Sequence, residues 1–158
     1  VRTLLETVET EPVVYAVPGH PLVAESTVQK LVEAERNGEV ELRLLGGQSF
    51  LDPMFSSLKI DPIDGFQLLD GTSLKRAEIQ IRHHLIIAQV YDSFIASEVK
   101  LTLMEKYPDD YEVAIVTAAG SKNESITYIP LFELDRAAEL SNLTAVYVPP
   151  VNEEVLLY

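Results

Sequence analysis

The sequence predicts an α/β fold in two parts, a parallel-sheet lobe that gives way near residue 50 to a lobe with a mixed sheet. Three observations predict it. Strand-like apolar runs alternate with a helical one over the first 45 residues, the βαβ pattern that sets neighbouring strands parallel. Beyond Gly47, two β runs follow one another with no helix between them, so hairpin pairing enters. The composition can fill the cores: of 158 residues, 47% are hydrophobic and 23% charged, with a mean hydropathy of +0.10. A chain of that make-up folds rather than staying extended.

Taken in order, Val1–Thr10 is expected to be a helix, and Pro12-Val13-Val14-Tyr15-Ala16-Val17 a short buried strand that Pro18-Gly19-His20-Pro21 ends sharply. Leu22, Val23, Val28, Leu31 and Val32 then recur at helical spacing, with Glu25, Gln29, Lys30, Glu33 and Arg36 at other positions. Pro21 suits the first turn of that helix, where a missing N–H costs nothing, and Asn37-Gly38 stops it. Val40–Leu45 is the second strand, a parallel neighbour of Val13–Val17, broken by Gly46-Gly47.

A short helix is expected around Leu51–Leu58, followed by turn signals at Asp61-Pro62, Asp64-Gly65 and Asp70-Gly71. Gly65–Leu69 and Leu85–Val90 read as strands, the latter apolar enough to be central. Ser93 and Ser97 offer N-caps for a helix to about Tyr107, closed by Pro108. Tyr111–Thr117 and Ile126–Pro130 are expected to pair antiparallel across a long loop, Ala118 to Ser125. A short helix near Leu131–Leu140 and a last strand, Ala145–Val148, finish the fold. Pro149–Glu154 has the composition of a linker, and the apolar Val155-Leu156-Leu157-Tyr158 after it has no evident place to pack. Both ends are therefore expected to have been cut from a longer protein. The expected domains are the end of a first lobe over residues 1–50, a second lobe over residues 51–150, and a linker over residues 151–158.

Charge and residue usage exclude several functions. Twelve basic side chains against 25 acidic ones leave a net charge of −13. A broad nucleic-acid surface and attraction to anionic membranes both need the opposite balance. The absence of cysteine removes disulfides, a thiol nucleophile and Cys-based metal sites. No apolar run approaches the roughly 18 residues of a membrane span, and the first residues lack the design of a signal peptide, so the expected compartment is the cytoplasm.

Pro18-Gly19-His20-Pro21 is the most informative local stretch. A glycine turn between a strand's C-terminal end and a helix is where open α/β sheets bind ligands, although an ordinary ligand-free βα turn uses the same residues. A helix N-terminus disfavours an imidazolium by roughly 0.3–1 kcal/mol, so His20 reads as a neutral, hydrogen-bonding and structural histidine. His83 and His84 would point to opposite faces of a strand, poor geometry for one metal. With Lys75, Arg76 and Arg82 they mark the basic surface of the chain. No metal site is expected. No Ser/His/Asp order can be assigned, most carboxylates read as solvated helix faces, and no Glu/Asp cluster suits Mg²⁺. Asn123-Glu124-Ser125 and Asn142-Leu143-Thr144 match a glycosylation pattern that goes unused without a secretory signal.

The stretch Val13-Val14-Tyr15-Ala16-Val17-Pro18-Gly19-His20-Pro21-Leu22-Val23-Ala24-Glu25 resembles the central loop of the tetrapyrrole (corrin/porphyrin) methylases, S-adenosylmethionine-dependent enzymes that include diphthine synthase. More narrowly, it resembles the methylase-like domain of the bacterial YabN-type MazG fusion proteins. Supporting stretches keep the family's order: Leu45-Gly46-Gly47-Gln48-Ser49-Phe50 where the family carries a Pro-Gly-x-Ser-Ser-like turn, then Ile86-Ile87-Ala88-Gln89-Val90. The hairpin of Val113–Ile126 and the closing segment Pro130-Leu131-Phe132-Glu133-Leu134 follow.

The resemblance implies a two-lobed αβα protein with S-adenosylmethionine in the cleft between lobes, a homodimer as the usual assembly, and a MazG-type pyrophosphohydrolase domain in the same parent chain. By position, Pro18, Gly19, His20 and Pro21, with Val23 behind them, would face the cofactor. Ser49, Phe50, Gln89, Val90, Ala118, Ala119 and Pro149 would line its pocket. The chain departs from the family at His20, where Asp is usual, at Gly46, where Pro is usual, and in lacking the Thr-x-x-Gln end of the hairpin loop. The family's amino-terminal glycine-rich βα unit is absent too. The resemblance therefore implies a methyltransferase domain present as a fragment inactive alone, with an unidentified small-molecule acceptor. The alternative is a regulatory or scaffold domain attached to the pyrophosphohydrolase.

Overall fold

The computed structural model describes residues 1–137 and 139–152. The chain divides into two compact units, Val1–Asp52 and Pro53–Tyr158.

The first unit contains helices α1 (Arg2–Val8) and α2 (Ser26–Arg36), and α3 (Leu51–Leu58) runs from it into the second. α2 buries Val28, Leu31 and Ala34, a single face at three-residue spacing. Its end is the Asn37-Gly38 stop that the sequence predicts. Gly38 takes φ +77°, its N–H donates to the Glu35 carbonyl, and the Glu39 N–H donates to the Ala34 carbonyl, a Schellman closure. Its start differs from expectation. The Val23 N–H closes a turn onto the His20 carbonyl, and Ala24 is left-handed at φ 56°, so the helix cannot begin at Pro21 and begins after Glu25.

The parallel strands expected at Val13–Val17 and Val40–Leu45 are not formed as hydrogen-bonded strands. Val14 is 93% exposed and Leu45 69%, and the Leu42 N–H is taken by the Glu35 carboxylate. Apolar runs identify segments able to pair, but a ladder also needs a partner backbone in register, about which composition says nothing.

The second unit is built on a five-stranded sheet of β1 (Phe66–Asp70), β2 (His84–Ala88), β3 (Glu112–Thr117), β4 (Ser125–Pro130) and β5 (Thr144–Val148). Its order is β1-β2-β5-β3-β4, with β1 and β2 parallel and every other pair antiparallel. This is the mixed sheet the hairpin pattern predicts. Because β2 and β3 both run antiparallel to β5, they run parallel to each other. The C-terminal ends of β1, β2 and β3 therefore open on one edge, with the start of β5 between β2 and β3.

α4 (Ser93–Met104) connects β2 to β3 and packs Ala96, Val99 and Leu103 into a core with Leu85, Ile87, Val113, Ile115, Val146 and Val148. The alternate residues Ile86, Ala114, Val116 and Tyr147 are buried too. These strands accordingly read as continuous apolar runs rather than alternating ones. The cap of α4 is Asp92, whose carboxylate accepts the Ile95 N–H at 2.8 Å, so Ser93 becomes the first helical residue and Ser97 lies inside. The helix expected near Leu131–Leu140 is a 3-10 turn over Leu131–Arg136. Its buried residues Leu131 and Leu134 lie three apart, the 3-10 repeat, and the Lys100–Asp135 ion pair at 2.9 Å ties it to α4. Val151, expected in the linker, is buried and donates its N–H to the Ile81 carbonyl at 2.8 Å. Val155-Leu156-Leu157-Tyr158 lies outside the described residues.

Candidate functional site

In the second unit, the edge where β2 and β3 end carries two unusual backbones. Gln89, directly after β2, has φ 63°, and Ala118, directly after β3, has φ 53°. A left-handed backbone costs a residue with a Cβ roughly 1–2 kcal/mol, and such strain gathers at binding sites. Both are held by the start of β5. The Val90 N–H donates to the Thr144 carbonyl at 3.3 Å and the Ala118 N–H to the Leu143 carbonyl at 3.1 Å. Beside Ala118 lies an open groove of about 630 Å³, with Thr117, Ala118 and Ala119 on one wall and Glu139, Ser141 and Leu143 on the other. Small-molecule sites are commonly of this size.

The hairpin loop that lines the groove is held by contacts to Pro53 and Ser57. Gly120 is left-handed at φ +80°, and a Cβ there would lie 2.7 Å from Pro53 Cβ. The Glu124 carboxylate accepts the Ser57 hydroxyl and the Gly120 N–H, the latter at 2.9 Å. Those bonds, the serine first, hold this carboxyl below the usual carboxylate range. Glu124 and Thr144 are the residues that sequence reasoning missed, since each entered only as part of an unused glycosylation pattern. A Glu four residues after a loop glycine was the faint signal of the first.

In the first unit, the loop at Pro18–Pro21 meets the Gly46–Gln48 turn. Gly19 takes φ +82°, and a Cβ on Gly47 would lie 3.0 Å from the Gly19 carbonyl oxygen, so the absence of a side chain at Gly47 lets the two backbones approach without a shift. His20 Nδ1 accepts the Leu22 N–H at 3.1 Å, which places its ring proton on Nε2 and makes it a turn-closing histidine. Pro18 is exposed, while Pro21, Val23 and Phe50 are half-buried. The Ser49 hydroxyl accepts the Leu51 N–H at 3.3 Å at the start of α3.

Not every expected pocket residue reaches the groove's edge. Val90 is buried in the core and its N–H is already bonded, so Gln89 alone of that pair presents itself to solvent. Pro149 follows the far end of β5, about 17 Å along an extended strand from Thr144, and its carbonyl accepts the Tyr111 hydroxyl at 2.6 Å. The expected basic surface is partly neutralised, with Arg76 3.4 Å from Glu105. The two histidines have separate surroundings. His84 Nδ1 lies 2.7 Å from the Tyr147 hydroxyl, and the His83 ring lies where a Cβ on Gly65 would fall. Among the described residues, no group of three or more His, Asp or Glu could hold a metal ion, and no helix is long and apolar enough to cross a membrane.

Residues 1–135 match the family of tetrapyrrole (corrin/porphyrin) methylases. A relative in Bacillus subtilis (strain 168), the uncharacterized protein YabN, is 62% identical over 155 residues, covering 98% of this chain and 32% of YabN. The chain thus spans about a third of the length of the curated relative it matches. Among solved structures, a putative diphthine synthase from Entamoeba histolytica aligns with TM-score 0.75 at 15% identity, covering 99% of this chain and 73% of that one. Uroporphyrin-III C-methyltransferase from Thermus thermophilus, complexed with S-adenyl homocysteine, aligns with TM-score 0.69 at 19% identity and the same coverages. The methyltransferase CobJ aligns with TM-score 0.70 at 17% identity, covering 93% and 68%. At such identities the likeness is one of fold, and it joins the family match and the mixed sheet in one conclusion: the chain belongs to the tetrapyrrole (corrin/porphyrin) methylase family.

Proposed function

We propose that this chain supplies most of the S-adenosylmethionine cleft of a methyltransferase domain. One observation carries the reading. The left-handed Gln89 and Ala118 follow the ends of two parallel strands on the sheet edge where α/β proteins bind ligands, and Ala118 lines a groove of about 630 Å³ there. Its lining suits a nucleoside-like molecule, with the apolar Ala118, Ala119 and Leu143 interleaved with the polar Ser121, Asn123 and Ser141. The proposed contacts are Pro18, Gly19, His20 and Pro21 with Val23, Ser49 and Phe50 from the first unit, and Gln89, Ala118 and Ala119 from the second. S-adenosylmethionine, when bound, brings a methyl group that is already electrophilic. The chain's own task is then to bind, orient and exclude water, which needs no nucleophile or base among its side chains.

The proposal extends to the parent protein: a homodimer carrying a MazG-type nucleoside triphosphate pyrophosphohydrolase in the same polypeptide, with an unidentified small-molecule methyl acceptor. The chain aligned to 73% of the Thermus enzyme, and we infer that productive transfer needs more of the cleft than it contains. Small-molecule sites bury about 70–90% of their ligand, so binding to this chain alone is expected to be weak.

Calorimetry with S-adenosylmethionine on the protein extended by the family's amino-terminal glycine-rich βα unit tests the reading. Binding is expected, and Gly19→Val should abolish it, because Gly19 stands at φ +82°, which a β-branched residue does not adopt. No binding by the extended parent, or equal binding by Gly19→Val, hands the site to the second reading. That reading is a regulatory or scaffold domain attached to the pyrophosphohydrolase, and what favours it is His20 and Gly46 standing where the family carries Asp and Pro.

A further inference from the structure

Thr144, the first residue of β5, is a buried polar side chain, 2% exposed, at the head of the otherwise apolar run Ala145–Val148. Valine would fit that run, so the hydroxyl stands at a desolvation cost unless its bonds are used. They are used, and all at the groove. Thr144 Oγ1 accepts the Ser141 N–H at 2.9 Å and lies 3.2 Å from Thr117 Oγ1, directly across the β3–β5 register. Its backbone N–H donates to the Ser141 carbonyl at 3.0 Å, and its carbonyl accepts the Val90 N–H. Thr117 ends one wall of the groove and Ser141 belongs to the other. The hydroxyl thus links Thr117 to Ser141, beside the Ala118–Leu143 backbone bond that joins the same two segments, while the same residue's main chain holds the segment that follows Gln89.

Resting on the methyltransferase reading above, we propose that Thr144 is a positioning residue: paired with Thr117, it sets the spacing of the groove walls for a nucleoside-type ligand that it does not itself touch. Thr144→Val keeps the shape and removes the hydroxyl, and Thr144→Ser restores the hydroxyl without the methyl.

The test has two arms. In calorimetry of the extended protein with S-adenosylhomocysteine, Thr144→Val should bind about tenfold more weakly, the loss expected when the half-buried Ser141 N–H is left unpaired, while Thr144→Ser binds close to the parent. In a Thr117→Val background, Thr144→Val should still weaken binding through the unpaired Ser141 N–H, but by less than tenfold, because the contact between the two hydroxyls is already lost. In the ligand-free protein, amide exchange of Ala118 and Ser141 should quicken about tenfold in Thr144→Val and not in Thr144→Ser, with Ile86 and Val146 unmoved, because only local opening is affected. If the extended parent binds no S-adenosylhomocysteine, the methyltransferase reading fails and the exchange arm still decides the clamp. Exchange unchanged in Thr144→Val, or a serine variant as impaired as the valine, overturns it.

Discussion

Replacing Gly120 by alanine probes how the hairpin loop is pinned, and the structure sets the size of the effect. Gly120 stands at φ +80°, where an added Cβ costs roughly 1–2 kcal/mol of backbone strain. The new methyl would also lie 2.7 Å from Pro53 Cβ and 2.9 Å from Pro53 Cγ, atoms of a ring that cannot swing aside. Overpacking of that kind costs about 1–3 kcal/mol. The two costs come together only while the loop stays seated. Otherwise it lifts from Pro53 and gives up the bond from the Gly120 N–H to Glu124, so the observed loss is the smaller of strain and detachment. Urea unfolding followed by tyrosine fluorescence (the chain has seven tyrosines and no tryptophan) should show a loss of about 1–3 kcal/mol. Calorimetry of the extended variant should show S-adenosylmethionine binding weakened, since Ala118 and Ala119 move with the loop. A change under about 0.5 kcal/mol, the scatter of neutral surface substitutions, together with unaltered binding, would refute the reasoning.

Two further outcomes follow from individual side chains. Burial raises the Tyr147 hydroxyl to about 12, with Tyr128 and Tyr111 adding to it, and burial also raises Tyr107 and Tyr111. Because unfolded tyrosine ionises near 10, their stabilisation is complete below about pH 10 and is lost as pH rises toward 12; urea midpoints across that range, with absorbance at 295 nm, should fall together. His20→Asp keeps an acceptor for the Leu22 N–H and should match the parent in urea unfolding, whereas His20→Leu leaves that donor to solvent and should lose up to about 1 kcal/mol; a leucine variant as stable as the parent would show the bond to be idle.

What was legible in the sequence, and what was not, divides along physical lines. α3 over Leu51–Leu58, the stop at Asn37-Gly38 and all five strands of the second unit follow from short-range signals: apolar runs, glycine where φ turns positive, and Asp or Pro at turns. The expected strands of the first unit failed because pairing is a property of two segments, and Glu35 captures the backbone donor of Leu42 that a ladder would use. The start of α4 moved by one residue because Asp92, not Ser93, has its carboxylate within reach of the Ile95 N–H. Among expected pocket residues, Gly19, His20 and Ala118 stand in turns with bonds or backbone angles that give them a task. Pro149 could not be placed from order alone, because β5 runs against β2 and β3 and carries its end to the opposite edge.

The strain and the supports of the edge lie on different residues. Gln89 and Ala118 bear the unfavourable backbone angles. Thr144 and Leu143 take the amide bonds beside them, and Glu124 ties down the loop that leaves Ala118. Strained residues do not relax only where their neighbours over-determine them, so the neighbours should be as sensitive to substitution as the presenting residues. Gln89 and Ala118 have ordinary side chains, so they carry little chemical signature in a sequence. Thr144 and Glu124 are commonplace at a strand start and in a polar loop. A search for reactive side chains would pass over all four, which accords with the proposed role of a cleft that would hold and orient a ligand rather than attack it.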